Sequence, residues 1–412
     1  MAIPSRSLLR IGHQADHRVQ PMELFFDLVF VFAIIQLSHY LLDHLSIAGA
    51  LQTGVMFLAV WWAWMYTAWA TNWLDAERAP VRLVLAAVML ASLVLAACMK
   101  EAFGDYGLGF ALAYCGIQVG RTAFTAWARG EWQSGASRNL TRATGYFLLS
   151  LPLWIAGALD VDPARRLMWW AGALAVEYSG PLLFFALPGL GRSTVAEWNI
   201  SGEHMAERCA LFVIIALGET ILVMGGTFTG LDKDFPTVAA FVAAFVSTVA
   251  MWWIYFDVGA RRGSAQIEHS DMPGLLGRHA YTYAHIPIVA GIVVLAVGDE
   301  LVLTHPTGHA GLAYLIVLMT GAFLFIGGAG LFKRLTNPRG WFPLSHSVGL
   351  GGFALLGSWG WMAHPEPLTL ALAASTLFVI IAVWEWVSFH GGWVERWQRL
   401  RAPSGERRRL SE

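Results

Sequence analysis

Apolar stretches about 20 residues long recur from one end of this chain to the other, and no other feature constrains its fold as tightly. A helix of roughly 20 residues covers the ~30 Å hydrocarbon core of a bilayer. Backbone polar groups cannot go unpaired in lipid, so each stretch must be helical; barrel strands would alternate in polarity instead. The balance of the 412 residues agrees, with 57% hydrophobic and only 13% charged, against about 25% charged in ordinary soluble domains. The expected class is therefore an all-α integral membrane protein. Twelve spans are placed near 22–42, 48–69, 79–99, 106–127, 141–159, 167–187, 204–225, 236–257, 278–297, 311–332, 347–363 and 367–388. The first 21 residues are polar and basic, and no small-residue cleavage site follows the first apolar run, so no cleavable signal is expected.

The loops between these spans choose an orientation. On the side of the N-terminus and the even-numbered loops lie Arg6, Arg10, Arg18, Arg78, Arg129, Arg138, Arg192, Arg261, Arg262, Lys333, Arg334 and Arg339. The tail adds Arg396, Arg399, Arg401, Arg407, Arg408 and Arg409 to that side. The other side has Lys100, Arg165, Arg166 and Lys233. Lys and Arg accumulate in cytoplasmic loops, so both termini are expected in the cytoplasm and the protein in a cytoplasmic (inner) membrane. The organisation read from this is a cytoplasmic lead over 1–21, a six-helix half over 22–200, a second over 201–390, and a basic cytoplasmic tail over 391–412.

The halves share weak internal similarity. Trp61-Trp62-Ala63-Trp64-Met65-Tyr66 in the second span matches Trp252-Trp253-Ile254-Tyr255-Phe256-Asp257 in the eighth. Ala111-Leu112-Ala113-Tyr114 matches Gly311-Leu312-Ala313-Tyr314, and Glu23 and Glu207 each precede an apolar run. Six spans separate the copies, so the expectation is two parallel, not inverted, six-helix repeats. Aromatic-rich helices matching by chance is the alternative.

Charges inside lipid cost at least roughly 2.5–3.5 kcal/mol each, so they must find interior partners or a wet cavity. Glu23 and Asp27 stand four apart on one face of the first span. Glu23 is expected at the headgroups and Asp27 one turn deeper. Glu203, His204, Glu207 and Arg208 form two overlapping i,i+4 pairs at the start of the seventh span, and Glu219 lies deeper. Glu207 with Arg208 also reads as a surface salt bridge. Glu177 falls near the midplane of the sixth span, Arg121 in the inner part of the fourth and His285 in the inner half of the ninth. Whether Arg121 pairs with Asp27, Glu177 or Glu207 is open from sequence. His285 reads equally as a satisfied structural histidine, and Glu385 as an interfacial residue. Most of these groups fall in the cytoplasmic half, which suits proton coupling and equally suits a static polar network. Gly116 and Gly120 form a GxxxG expected to let the fourth span approach a neighbour, and Pro181 and Pro287 are expected to kink their spans.

No P-loop, HExxH or GxSxG is present, so no catalytic residue, metal site or cofactor is expected. Cys98, Cys115 and Cys209 lie in separate apolar runs and make no metal or disulfide pattern. The net charge of −1 says nothing about partners. None of them is expected to be a nucleic acid.

The run Glu23-Leu24-Phe25-Phe26-Asp27-Leu28-Val29-Phe30-Val31-Phe32-Ala33-Ile34-Ile35-Gln36-Leu37-Ser38-His39 resembles the opening helix of the bacterial low temperature requirement A (LtrA) family. Ala216-Leu217-Gly218-Glu219-Thr220-Ile221 resembles that family's second characteristic stretch. The family is named for a cold-growth phenotype and brings no catalytic residue set. The resemblance marks Glu23, Asp27, Gln36, His39, Gly218 and Glu219 as the positions to test. A partial likeness of Phe26-Asp27 to the first helix of endolysosomal potassium channels lacks their serine and has no copy in the second half.

The functional expectation is a transporter of a small solute or ion, protons among the candidates. Its polar network would comprise Glu23, Asp27, Gln36, His39, Arg121, Glu177, Glu207, Arg208, Glu219 and His285. Its partners would be the lipid bilayer and that solute; an oligomer is compatible with the same reading. The alternatives are an ion channel with a first-helix pore, a membrane-embedded enzyme, and a structural or stress-response membrane protein.

Overall fold

The structure is a computed structural model and describes residues 8–10, 19–130, 135–337 and 339–389. Twelve long helical segments occupy these residues, with no named strand among them. They are α1 Pro21–Asp43, α2 Ile47–Trp73, α3 Ala79–Glu101, α4 Gly107–Ala128, α5 Gly135–Leu159 and α6 Pro163–Leu182. There follow α7 Gly202–Thr229, α8 Phe235–Glu268, α9 Pro273–Thr304, α10 Leu312–Leu335, α11 Leu344–Ala363 and α12 Pro367–Phe389. Each expected span overlaps one of them, and the sixth, expected to reach 187, ends at Leu182. Eight (α1, α2, α3, α7, α8, α9, α10 and α12) are long and apolar enough to cross a membrane.

Local chemistry starts these helices where the sequence changes character. Gln20 and Glu23 form a capping box at α1, whose first residue is Pro21. The Ser46, Asp162, Ser201 and Asp234 side chains accept hydrogen bonds from the first-turn amides of α2, α6, α7 and α8. Those bonds hold the Asp234 carboxyl below its usual range. Pro181 lies one residue before the end of α6, so it stops that helix. In α9, wide π turns over Gly277–Tyr283 precede Pro287, where the usual i→i−4 ladder cannot close. A second π segment, Tyr255–Ala260, lies within α8.

The same helix neighbours recur in both halves. In the first, α1 packs on α2 and α3, α2 on α4 and α6, and α3–α4, α4–α5 and α5–α6 are adjacent. In the second, α7 packs on α8 and α9, α8 on α10 and α12, and α9–α10, α10–α11 and α11–α12 are adjacent. The halves meet where α1 and α2 contact α7 and α9. Adjacent helices run in alternating directions, so α1 and α7 run the same way. Below, the end holding Pro21 and Trp73 is the lead end and the opposite one the far end.

Packing departs from the sequence expectation at several points. Trp61, Trp62 and Trp64 are fully buried, but Trp252 and Trp253 are 44% and 40% exposed, so the matched tryptophan runs sit in different surroundings. Trp170 is buried against Trp154 and Phe110. Gly116 and Gly120 are exposed, with open space where a Cβ would lie, so they make no close helix contact. The close approach is between α9 and α10. There a Cβ on Gly291 would strike the Phe325 backbone, and one on Gly328 the Ile288 backbone. Within the lead, Leu8 is buried, and the Arg10 amide donates to the Trp73 carbonyl.

Candidate functional site

Three polar contacts join α1 to α7, and each spans 181 residues of sequence. Glu23 meets His204, Asp27 meets Arg208, and Ser38 meets Glu219. A constant separation is the signature of two helices packed parallel and in register. The i,i+4 spacing on α1 (Glu23, Asp27) and on α7 (His204, Arg208) brings both pairs to one seam.

At the lead end, Glu23 is fully buried, which corrects its expected place at the headgroups. Its Oε1 accepts from His204 Nε2 at 2.9 Å, and its Oε2 from Arg10 Nη2 at 2.9 Å and the Gln20 amide at 2.9 Å. The Asn72 carboxamide is oriented by its bonds to Ser201, accepting from the amide at 2.8 Å and donating to the carbonyl at 2.9 Å. Its NH2 therefore donates to His204 Nδ1 at 3.2 Å. An accepting Nδ1 and a donating Nε2 define a neutral imidazole, so Arg10 is the full charge opposite Glu23.

One turn deeper, Asp27 and Arg208 are both 0% exposed and paired at 2.9 Å. Trp64 Nε1 donates to the same Asp27 oxygen at 2.8 Å, and the guanidinium lies over the rings of Phe26 and Trp64. The pair is under-coordinated. Asp27 Oδ2, Arg208 Nε and Arg208 Nη1 are buried with no hydrogen-bond partner among the described residues. A buried ion pair normally offsets its desolvation by filling such valences.

Eleven residues further along α1, about 16 Å at 1.5 Å per residue, Ser38 donates to Glu219 Oε1 at 2.6 Å. Buried apolar residues fill the interval, namely Phe30, Ile34 and Leu37 on α1 with Phe212, Val213 and Leu217 on α7. Glu219 Oε2 and Asp299 Oδ2 are buried without hydrogen-bond partners among the described residues, and Asp299 and Glu300 on α9 act electrostatically on Glu219. The far end of the seam thus groups carboxylates, with no ion-pair partner for Glu219 or Asp299 among the described residues and with His39 acting on Glu300.

The other expected residues divide. Glu177 is buried and accepts from Ser150 at 2.6 Å, Trp154 at 2.8 Å and the Tyr114 hydroxyl. Arg121 pairs directly with none of the carboxylates considered for it. It donates to the Ala63 carbonyl and to Gln118, and Gln118 donates to Tyr114, so Arg121 reaches Glu177 only through that relay. Glu207 is half-buried and accepts from the Val19 amide at 3.0 Å, fixing the lead to α7. His285 is buried, with Nδ1 donating to the Ala280 carbonyl and Nε2 accepting from Tyr255, a satisfied histidine in an aromatic cluster. Gln36 is half-buried and His39 exposed; neither joins the seam, whereas Ser38 between them does.

Sequence reasoning missed a second buried ion cluster. Lys333 on α10 pairs with Glu385 on α12, and His346 on α11 lies 3.3 Å from the same carboxylate. Lys333 had the appearance of a loop charge and Glu385 of an interfacial one, because both lie near span ends. Arg142 was hidden in the same way; it is buried and bonded to Glu197 at 3.0 Å. The usable signal was that each position continues a helical apolar face.

A Rhizobium meliloti (strain 1021) protein named "Uncharacterized protein RA0937" is 38% identical over 368 residues, covering 89% of this chain and 88% of that protein. The profile described as "Bacterial low temperature requirement A protein (LtrA)" matches residues 18–384, which span the α1–α7 seam and nearly every helix around it, and the chain belongs to the LtrA family.

Proposed function

We propose that this LtrA-family membrane protein transports a small solute or ion along the α1–α7 seam, with Asp27, Arg208 and Glu219 as its principal polar groups. The observation that carries the reading is the under-coordinated Asp27–Arg208 pair between the halves. Buried charges with unfilled valences, on helices from two units, are positioned to exchange one partner for another when the units move. The apolar packing between Asp27 and Ser38 separates the two polar levels, as a carrier requires of its closed barrier.

In this reading all twelve helices cross the inner membrane, both termini are cytoplasmic, and the halves are parallel repeats. The recurring neighbour pattern and the in-register α1–α7 contacts support duplication. The basic residues on the lead side support the orientation. A periplasm-dependent reporter fused after Glu412 stays silent if the orientation is right and is active if it is not.

The experiment for function is reconstitution into vesicles. Saturable, gradient-driven exchange supports a carrier, single-channel currents a channel, and product formation without flux an enzyme. Absence of flux for protons, alkali cations and small organic ions in vesicles holding folded protein would overturn the proposal.

A further inference from the structure

At the lead end, beside the seam, a partly open cavity of about 50 Å³ lies between the halves, lined by α2, α4, α5, α6, α9 and the α6–α7 connection. Its lining combines an aromatic wall (Trp62, Tyr66, Trp69, Phe184, Phe185 and Trp198) with Arg121 and Arg278 and, among the described residues, no carboxylate. Two buried donors on this lining, Trp62 Nε1 and Arg278 Nε, have no hydrogen-bond partner among the described residues. Phe184 and Phe185 are consecutive and both left-handed, with φ of 53° and 46°. Non-glycine residues rarely adopt that conformation, and it concentrates at ligand clamps and switch regions. Arg278 and Thr282 reach the space from the π segment of α9, a distortion that often accompanies functional sites.

From these features we infer that this cavity binds an organic anion with a planar aromatic body and a single carboxylate, taken up from the aqueous side. The aromatic wall offers stacking to a flat apolar body. An aromatic cage alone would suit a cation, but here two guanidinium groups stand on the lining, and the acid that acts on Arg121, Glu177, lies behind it and off the lining. Arg278 is anchored by Nη1 donating to the Pro181 carbonyl at 2.6 Å and lies over the Phe184 ring, which leaves Nε free to meet an acceptor. Arg121 has its donors engaged by Ala63, Thr67, Gln118 and Thr122 and contributes charge rather than a direct bond. Trp62 supplies the second free N–H while its ring stacks on Tyr178. Binding at this cavity is separate from transport along the seam and can be measured without any flux.

The test is equilibrium binding of radiolabelled naphthoate to the full-length protein in nanodiscs of zwitterionic lipid, alongside its neutral amide. Naphthoate is expected to bind saturably and at least tenfold more tightly than the amide. Arg278→Gln should reduce that preference to less than threefold. Trp62→Phe, which keeps the ring wall and removes only the N–H, should weaken naphthoate about threefold to tenfold and leave the amide unchanged. Thermal melting in detergent checks that each variant is folded. Equal affinity for naphthoate and amide in the native protein, or an undiminished preference in both folded variants, overturns the inference. Loss of naphthoate binding when anionic phospholipid is added would assign the cavity to a lipid headgroup and overturn it as well.

Discussion

At the lead end of the α1–α7 seam Glu23 and Asp27 each face an arginine, whereas at the far end Glu219 faces a hydroxyl and the charges of two further carboxylates. The same two helices, in the same register, thus hold negative charge in two ways. A paired carboxylate leaves its partner only when another is offered, and removing either member strands the other in a medium that cannot solvate it. A carboxylate held only by a hydroxyl is free to take up and release a small cation or proton with little rearrangement. In the proposed reading the lead end both holds the halves together at rest and exchanges partners when they move, whereas the far end serves exchange alone.

The contrast predicts a graded series of stabilities, read by thermal or denaturant unfolding in detergent. Asp27→Asn should cost the most, about 3–5 kcal/mol, because Arg208 is fully buried and cannot shed its charge. Arg208→Gln should cost less, about 1–3 kcal/mol, because Asp27 can be neutralised by a proton where Arg208 cannot. An Arg208→Gln loss as large as that of Asp27→Asn would remove this distinction. Glu23→Gln should cost about 1–2 kcal/mol, since His204 is neutral and Arg10 is 10% exposed with the Thr71 and Leu74 carbonyls as further acceptors. Glu219→Gln should change stability by less than about 1 kcal/mol, because the amide still accepts from Ser38 and a repelling charge has gone. A destabilised Glu219→Gln protein would show that the far end also registers the helices, and the comparison would fail.

Hydropathy revealed the helices because lipid imposes one rule on every span, whatever its neighbours are. The helix ends were less legible. α8 continues through a π segment to Glu268 and α9 begins at Pro273, so the loop between them is much shorter than the polar residues suggested. Partner choice was least legible, since it depends on register between helices 181 residues apart. The acidic i,i+4 pair on α1 and its basic counterpart on α7 were both visible in the sequence, but nothing local said they meet. Glu177 was visible as a deep charge, yet its neutral partners Tyr114, Ser150 and Trp154 carry no charge signature. Lys333 and Glu385 show the reverse limit, because near a span end a buried charge and a solvated one look the same in sequence.

The central claim is that the seam conducts, and that Glu219 takes part without supporting the fold. Proton uptake driven by an imposed gradient, followed with a trapped pH-sensitive dye in proteoliposomes, compares the native protein and Glu219→Gln at equal reconstitution. The account predicts saturable uptake by the native protein and at least a tenfold loss in Glu219→Gln with an unchanged melting temperature. Native uptake no faster than in protein-free vesicles, or undiminished uptake by Glu219→Gln, would contradict it.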